Sequence, residues 1–307
     1  MHREDKVKKI KKTSEFKTFL RRLRKNKPAM FGIIIFFTLV VLAILSPVIS
    51  PYGYEQIDMT SKLQGPSAAH LFGTDQLGRD LLSRILYGGR YSLSLGILSI
   101  GLALLISIFL GSFSGFFGGW VDSLIMRILD VIQSIPSILI AIIMSAVLGS
   151  GFVMTIIALA IPCVSGYARV LRAQFLQISQ VEYVEAATSL SCSKFKIMMK
   201  HILPNAWAPL IVSATMGVAT TVLNASALSF IGLGIQSPTP EWGAMLSASR
   251  DYMRDYPYMV IIPGIFIMTV SYTHLDVYKR QAIQPGSHSR HPDRRHAYLR
   301  SRRSDTF

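Results

Sequence analysis

Long apolar runs separated by shorter polar stretches organise this chain. They fall at positions 30–46, 91–117, 131–148, 152–171, 206–231 and 258–270. Charge-free runs of about 20 residues are long enough to cross a hydrocarbon core, and a helix is the element that satisfies its own backbone there. The pattern therefore predicts an all-α membrane protein with six spans. Within the second run, Ser107, Gly111, Gly115 and Gly119 recur every four residues. Such a stripe of small residues predicts close packing against another helix. Pro136 and Pro162 lie inside runs and predict kinks, whereas Pro47 and Pro51 are expected to end the first run.

Composition agrees: half of the residues are hydrophobic and only 16% are charged, which excludes an ordinary soluble domain. The formal net charge of +15 invites a nucleic-acid partner, but the positive charge gathers at the two chain ends and leaves no basic face. The segment from Lys6 to Lys27, just before the first run, has the character of a cytoplasmic flank. The first run is long for a signal peptide and no cleavage site follows, so it reads as a retained span. With the N-terminus inside, 51–90 lies outside, 119–130 inside, 149–151 in an outer turn, 174–205 inside and 232–257 outside. Arg169, Arg172, Lys194, Lys196 and Lys200 then fall inside, while Arg79, Arg84 and Arg90 are exceptions on the outer side. Cys163 and Cys192 offer neither a disulfide framework nor metal spacing.

The inner loop carries its own helical pattern. Val181, Val184, Ala187 and Leu190 repeat at three-residue intervals, predicting an amphipathic helix. Ser193 is placed to cap a second short helix, with Phe195, Met198, Met199 and Ile202 on its apolar side and Pro204 closing the unit. Exposed apolar residues on a helix–turn–helix suit a groove on another protein or a lipid surface. Among the charges near the spans, Asp75 or Asp80 is expected to cap the helix that starts at Leu81. Arg127 and Asp130 stand three apart and are expected to pair on one helix face. Thr220, Thr221, Asn224 and Ser226 make the fifth run polar, and Asn224 is the candidate path-lining residue. No catalytic constellation, phosphate-binding glycine loop or metal-ligand spacing is present in the sequence.

Four segments resemble one family. Tyr183-Val184-Glu185-Ala186-Ala187, continuing to His201-Ile202-Leu203-Pro204-Asn205, is similar to the EAA loop of permease subunits in binding-protein-dependent ABC importers. His70 to Asp80, containing Gly73, Thr74, Asp75, Gly78, Arg79 and Asp80, resembles the outer-face FGTDxxGRD segment of the peptide and nickel branch. Tyr167 to Arg172 resembles the entry to the EAA loop, and Ser229 to Gly234 with Pro238 to Trp242 the outer connection after the fifth span. The resemblance implies a six-span type I ABC importer transmembrane domain in a bacterial or archaeal cytoplasmic membrane. It further implies a second permease subunit, two ATP-binding subunits and an extracytoplasmic solute-binding protein as partners. No cofactor would be bound by this chain, and ATP and Mg would be used by the ATPase subunits. The coupling loop, near 182–204, would comprise Tyr183, Glu185, Ala186, Ala187, Ser191, His201, Leu203 and Pro204. The outer motif implies a share for Asp80 in docking the loaded binding protein. Ser191 stands where the family motif has Gly, so a different turn geometry is expected there. A membrane scaffold recruiting a partner through the same loop, without transport, is the competing reading.

On this reading 1–28 is a basic cytoplasmic segment, 29–50 the first span, 51–90 an extracytoplasmic segment and 91–270 the transporter domain. The last apolar run is short for a span, so the sixth is expected to be truncated. From Ser271 the character changes. Residues 271–281 resemble adapter-derived sequence found at the ends of unrelated proteins, and an Arg-, His- and Ser-rich stretch follows. We read 271–307 as foreign to the permease, with a genuine basic tail as the alternative.

Overall fold

The computed structural model describes residues 27–283, with side chains for residue 27 and residues 30–271. The basic segment 1–26 and the tail 284–307 lie outside the described residues. Among the described residues nine helices carry the architecture: α1 Lys27–Ile49, α2 Leu81–Phe117, α3 Gly119–Gln133, α4 Ser137–Leu148, α5 Phe152–Ile178, α6 Glu182–Ser189, α7 Leu203–Phe230, α8 Trp242–Ser249 and α9 Tyr258–Ile283. Short helical turns at Met59–Ser61, Lys194–Lys196, Ile197–Ile202 and Arg250–Tyr252 fill the connections. No strand forms among the described residues.

Among the described residues four helices are long and apolar enough to cross a membrane, and the bent pair α3–α4 makes a fifth if it is taken as one span. The last apolar stretch is shorter. Although α9 runs from Tyr258 to Ile283, only Tyr258–Ser271 is apolar, about 21 Å of helix rise. The second helix begins at Leu81, ahead of the apolar run from 91, because its first turns carry a polar, buried outer segment. At 37 residues it rises about 55 Å, well beyond a hydrocarbon core of about 30 Å. Pro47 lies within α1 and does not end it; the helix stops at Ile49, ahead of Pro51.

The packing stripe on α2 forms as the small residues require. Ser107 Oγ donates to the Val164 carbonyl at 2.9 Å. A side chain at Gly111 would sit 2.6 Å from the Ala168 carbonyl oxygen, and one at Gly115 2.6 Å from Phe175 Cβ. These contacts make α2–α5 the most extensive helix pair of the bundle. Gly119 leaves the stripe: it opens α3 after the chain turns at Gly118, and nothing lies within 4 Å of its virtual Cβ.

In the third span the kink expected at Pro136 takes the form of a full break. The two halves meet at 87° across Ser134-Ile135-Pro136. Pro136 lacks an amide hydrogen and restrains the residue before it, so the helix breaks there. Pro162, by contrast, lies within a continuous α5. The expected Arg127–Asp130 pair is also replaced. Asp130 bonds Arg169 of α5, and Asp122 accepts from Arg172 Nε and Nη2 at 2.5 Å and from Ser114 of α2. Asp122 and Asp130 stand eight residues apart on α3, whereas their partners stand three apart on α5. That mismatch fits a helix laid across α5 at its inner end, and crossing puts both α3 carboxylates nearer to α5 than to Arg127.

Candidate functional site: the coupling loop and the outer motif

The inner loop folds as a helical hairpin braced on the bundle. Val184 and Ala187 of α6 are buried, together with Ile197, Met198 and Ile202 after the turn. All of them join the inner core with Leu171, Phe175 and Leu210. Val181 and Leu190, expected on the same apolar face, instead point away, at 42% and 79% exposed. Phe195 at 67% and Met199 at 41% are likewise uncovered. The apolar residues thus divide into a buried set that holds the hairpin and a second set without cover among the described residues.

Ser191 sits at the tip of the turn with φ 57°. That is the left-handed region that favours glycine, so Ser191 adopts a backbone that a Gly would take without strain. The Ser191 amide donates to the Thr188 carbonyl and that of Cys192 to the Ala187 carbonyl, which closes α6. Ser193 Oγ accepts from the Lys196 amide at 3.3 Å and starts the next helical turn, as its position predicts. Tyr183 then ties the two arms. Its hydroxyl donates to the His201 carbonyl at 3.2 Å and accepts from Asn205 Nδ2 at 3.1 Å, and Asn205 also reaches the His201 carbonyl at 2.7 Å. Glu185 and Ala186 are exposed, while Leu203 is buried.

Pro204 does not close the unit. It occupies the first turn of α7, directly after the wide π-type turn Ile197–Ile202, so helical structure continues from Lys194 to Phe230. A proline ring clashes with the carbonyl four residues earlier in a regular helix. The wide turn, in which Leu203 N–H bonds Met198 O, opens that spacing just ahead of it.

The motif residues between His70 and Asp80 form a knot. Asp75 Oδ1 accepts from the Leu77 and Arg79 amides at 2.8 and 3.0 Å, and its Oδ2 meets Arg79 Nε at 2.7 Å. Arg84 Nε lies 3.7 Å from the same oxygen, and its Nη1 donates to the Tyr54 and Pro238 carbonyls. Asp80 caps α2, accepting from the Ser83 amide and hydroxyl at 2.7 Å, and contacts His70 Nδ1 at 3.0 Å. Thr74 Oγ1 accepts from the Gln64 amide and donates to the Ser61 carbonyl. Gly73 and Gly78 hold positive φ, and a Cβ on Gly78 would fall 1.7 Å from the Asp58 carbonyl oxygen. Asp75, Arg79, Asp80 and Arg84 are all nearly inaccessible. Asp75 thus faces the guanidiniums of Arg79 and Arg84, while Asp80 faces His70, all within the buried part of the segment.

Glu241, which sequence reasoning passed over, is the buried anchor nearby. It caps α8 through the Gly243 and Ala244 amides and accepts from Ser92 Oγ at 3.0 Å, while Trp242 Nε1 donates to the Ile85 carbonyl. The signal available was an acidic residue directly before a Trp-Gly helix start. Asn224 is half-buried on α7 and does not line the cleft at the α3–α4 break. That cleft, about 530 Å³, opens at the α3–α4 break between Gln133, Pro136, Ser137, Ser165, Tyr167 and Ser213.

Comparison with known proteins resolves the family. Residues 103–280 match the model for the binding-protein-dependent transport system inner membrane component. The chain belongs to this permease family. Residues 14–66 match the N-terminal transmembrane domain of oligopeptide transport permease C. The permease is 42% identical to the dipeptide transport system permease protein DppC of Alkalihalophilus pseudofirmus over 84% of each chain. It is 38% identical to the di/tripeptide permease protein DppC of Pseudomonas aeruginosa, over 83% of this chain and 86% of that one. It is 39% identical to the glutathione permease protein GsiD of Escherichia coli, over 87% and 89%. The type I importer fold and the membrane-component role follow from that membership.

Proposed function

We propose that this permease serves an ATP-driven importer of di- and oligopeptides, working beside a second permease subunit. Two ATP-binding subunits dock on its cytoplasmic side and a solute-binding protein on its outer side. The chain itself binds no cofactor; ATP and Mg act in the ATPase subunits. Its N-terminus lies in the cytoplasm, which puts the α6 hairpin on the ATPase side. The relatives named for dipeptide and di/tripeptide transport support the peptide cargo, with nickel as the competing cargo of the same branch.

The observation that carries the coupling role is the uncovered apolar edge of Leu190, Phe195 and Met199 on a hairpin whose other face is locked into the core. Such an edge fills a groove on a partner, while the Tyr183–His201–Asn205 brace transmits its displacement to α7. When ATP binding closes the ATPases, the two permeases' hairpins move together and the helices reorient from inward-facing to outward-facing. Hydrolysis resets them. Leu190→Glu with Phe195→Glu should abolish ATP-dependent peptide uptake in proteoliposomes of the assembled importer and leave permease abundance unchanged. Uptake at the unaltered rate would overturn the coupling role.

A further inference from the structure

At the outer level of the bundle, three segments converge on a cavity of about 400 Å³ lined by Tyr54, Tyr87, Arg90, Tyr91, Ser94 and Phe152. Tyr54 comes from the extracytoplasmic segment, Phe152 from the start of α5, and the others from one face of α2. The opposite face of that helix is spent on packing, where Gly88 and Gly89 meet Trp242 and Gly96 meets Val222. The Tyr54 and Tyr87 rings lie 4.8 Å apart at 47°, and Tyr91 meets Phe152 edge-on at 6.1 Å. Arg90 is exposed, and its guanidinium has no ion pair or hydrogen bond among the described residues, unlike the nearby Arg79 and Arg84.

Tyrosines at headgroup level also act as interfacial anchors. Anchors project singly into the interface, whereas these rings come from separate segments and wall a shared space around a guanidinium. Burial first, then the neighbouring Tyr91 and Glu55, pushes the Tyr54 hydroxyl up to about 12, so it remains a protonated donor. Glu55, the next residue, sets a carboxylate close enough to act electrostatically on the Tyr54 hydroxyl. An unpaired cation and an anion flanking aromatic walls match a short zwitterionic peptide. An anionic lipid headgroup would meet Glu55 unfavourably. The volume falls within the range of small-ligand sites, roughly 300–1,000 Å³.

We propose that this cavity receives the substrate peptide at the outer face, with Arg90 holding its terminal carboxylate and the four rings packing against the adjoining apolar side chain. The site rests on the peptide-importer reading above. A guanidinium pairs a carboxylate through two parallel hydrogen bonds, which a C-terminal amide cannot reproduce with the same charge.

The test uses the complete importer, with its partner subunits, in lipid nanodiscs. A dipeptide bearing a photoreactive side chain is crosslinked, and the labelled residues are mapped by mass spectrometry. Label is expected on Tyr54, Tyr87, Tyr91 or Phe152, displaced by the free-acid dipeptide and not by its C-terminal amide. Arg90→Gln should lower that label at least tenfold, and Arg90→Lys should retain part of it; both variants should accumulate normally because Arg90 is exposed. Label elsewhere, equal displacement by the amide, or an Arg90→Gln importer labelled like the unaltered one would overturn the site. So would labelling of the cavity by a photoreactive phosphatidylethanolamine and not by the peptide. ATP-dependent peptide uptake by the unaltered importer is measured in parallel. Uptake without cavity label overturns the site alone, and absence of uptake overturns the importer reading beneath it.

Discussion

Ser191 holds a left-handed backbone, φ 57°, that costs an L-residue with a side chain about 1–2 kcal/mol relative to glycine. Ser191→Gly should therefore raise the thermal unfolding midpoint of the purified permease by a few degrees without lowering uptake. A lowered midpoint would mean that the serine side chain makes a compensating contact. Asp80 carries the opposite lesson. It is 3% exposed and is held by Ser83 and His70, so Asp80→Asn should leave poorly partnered buried groups at a cost of about 1–3 kcal/mol. The expected readout is reduced folded protein with normal uptake per folded molecule. Normal abundance with weakened uptake would instead support a direct share in docking the binding protein.

Element by element, the outer helix α8 depends on one buried carboxylate. Burial raises the Glu241 value above the ordinary carboxylate range, against the opposing hydrogen bonds from Gly243, Ala244 and Ser92. With the folded value above the unfolded one, the native state binds more protons in the interval between them. Stability is then greatest below the unfolded value and falls as pH rises through that interval. Protection of the Trp242–Ser249 amides, corrected for the intrinsic exchange rate, should accordingly fall as pH rises above the ordinary carboxylate range, and Glu241→Gln should flatten that dependence. The crossing helix α3 is pinned differently, by Asp122–Arg172 and Asp130–Arg169. The Asp130 pair is largely exposed and contributes little. Arg172→Gln should therefore loosen exchange protection across Gly119–Gln133 more than Arg169→Gln does; equal effects would refute this ranking.

For the whole molecule, the sharpest expectation is sidedness. In a background with Cys163 and Cys192 replaced, Leu190→Cys should react with a membrane-impermeant maleimide only from the cytoplasmic side. Gln56→Cys should react only from the outer side. Both positions are exposed, so a reversed pattern would reverse the proposed orientation and detach the hairpin from the ATPases.

The apolar runs by themselves determined that the chain crosses a membrane as helices, because backbone in lipid must be bonded within its own segment. The four-residue stripe Ser107, Gly111, Gly115 predicted the face on which α2 packs, since helical periodicity is local. Ser193 as a cap was equally legible, its partner lying three residues on. Asp122 and Asp130 were not, because their partners lie on α5, about 40–50 residues away, and only the 87° break at Pro136 brings α3 across that helix. Tertiary structure also divided the coupling loop's apolar residues, burying Val184 and Met198 and leaving Leu190 and Phe195 bare. A sequence records that a residue is apolar; which apolar side chains find cover depends on the neighbours that the fold brings beside them.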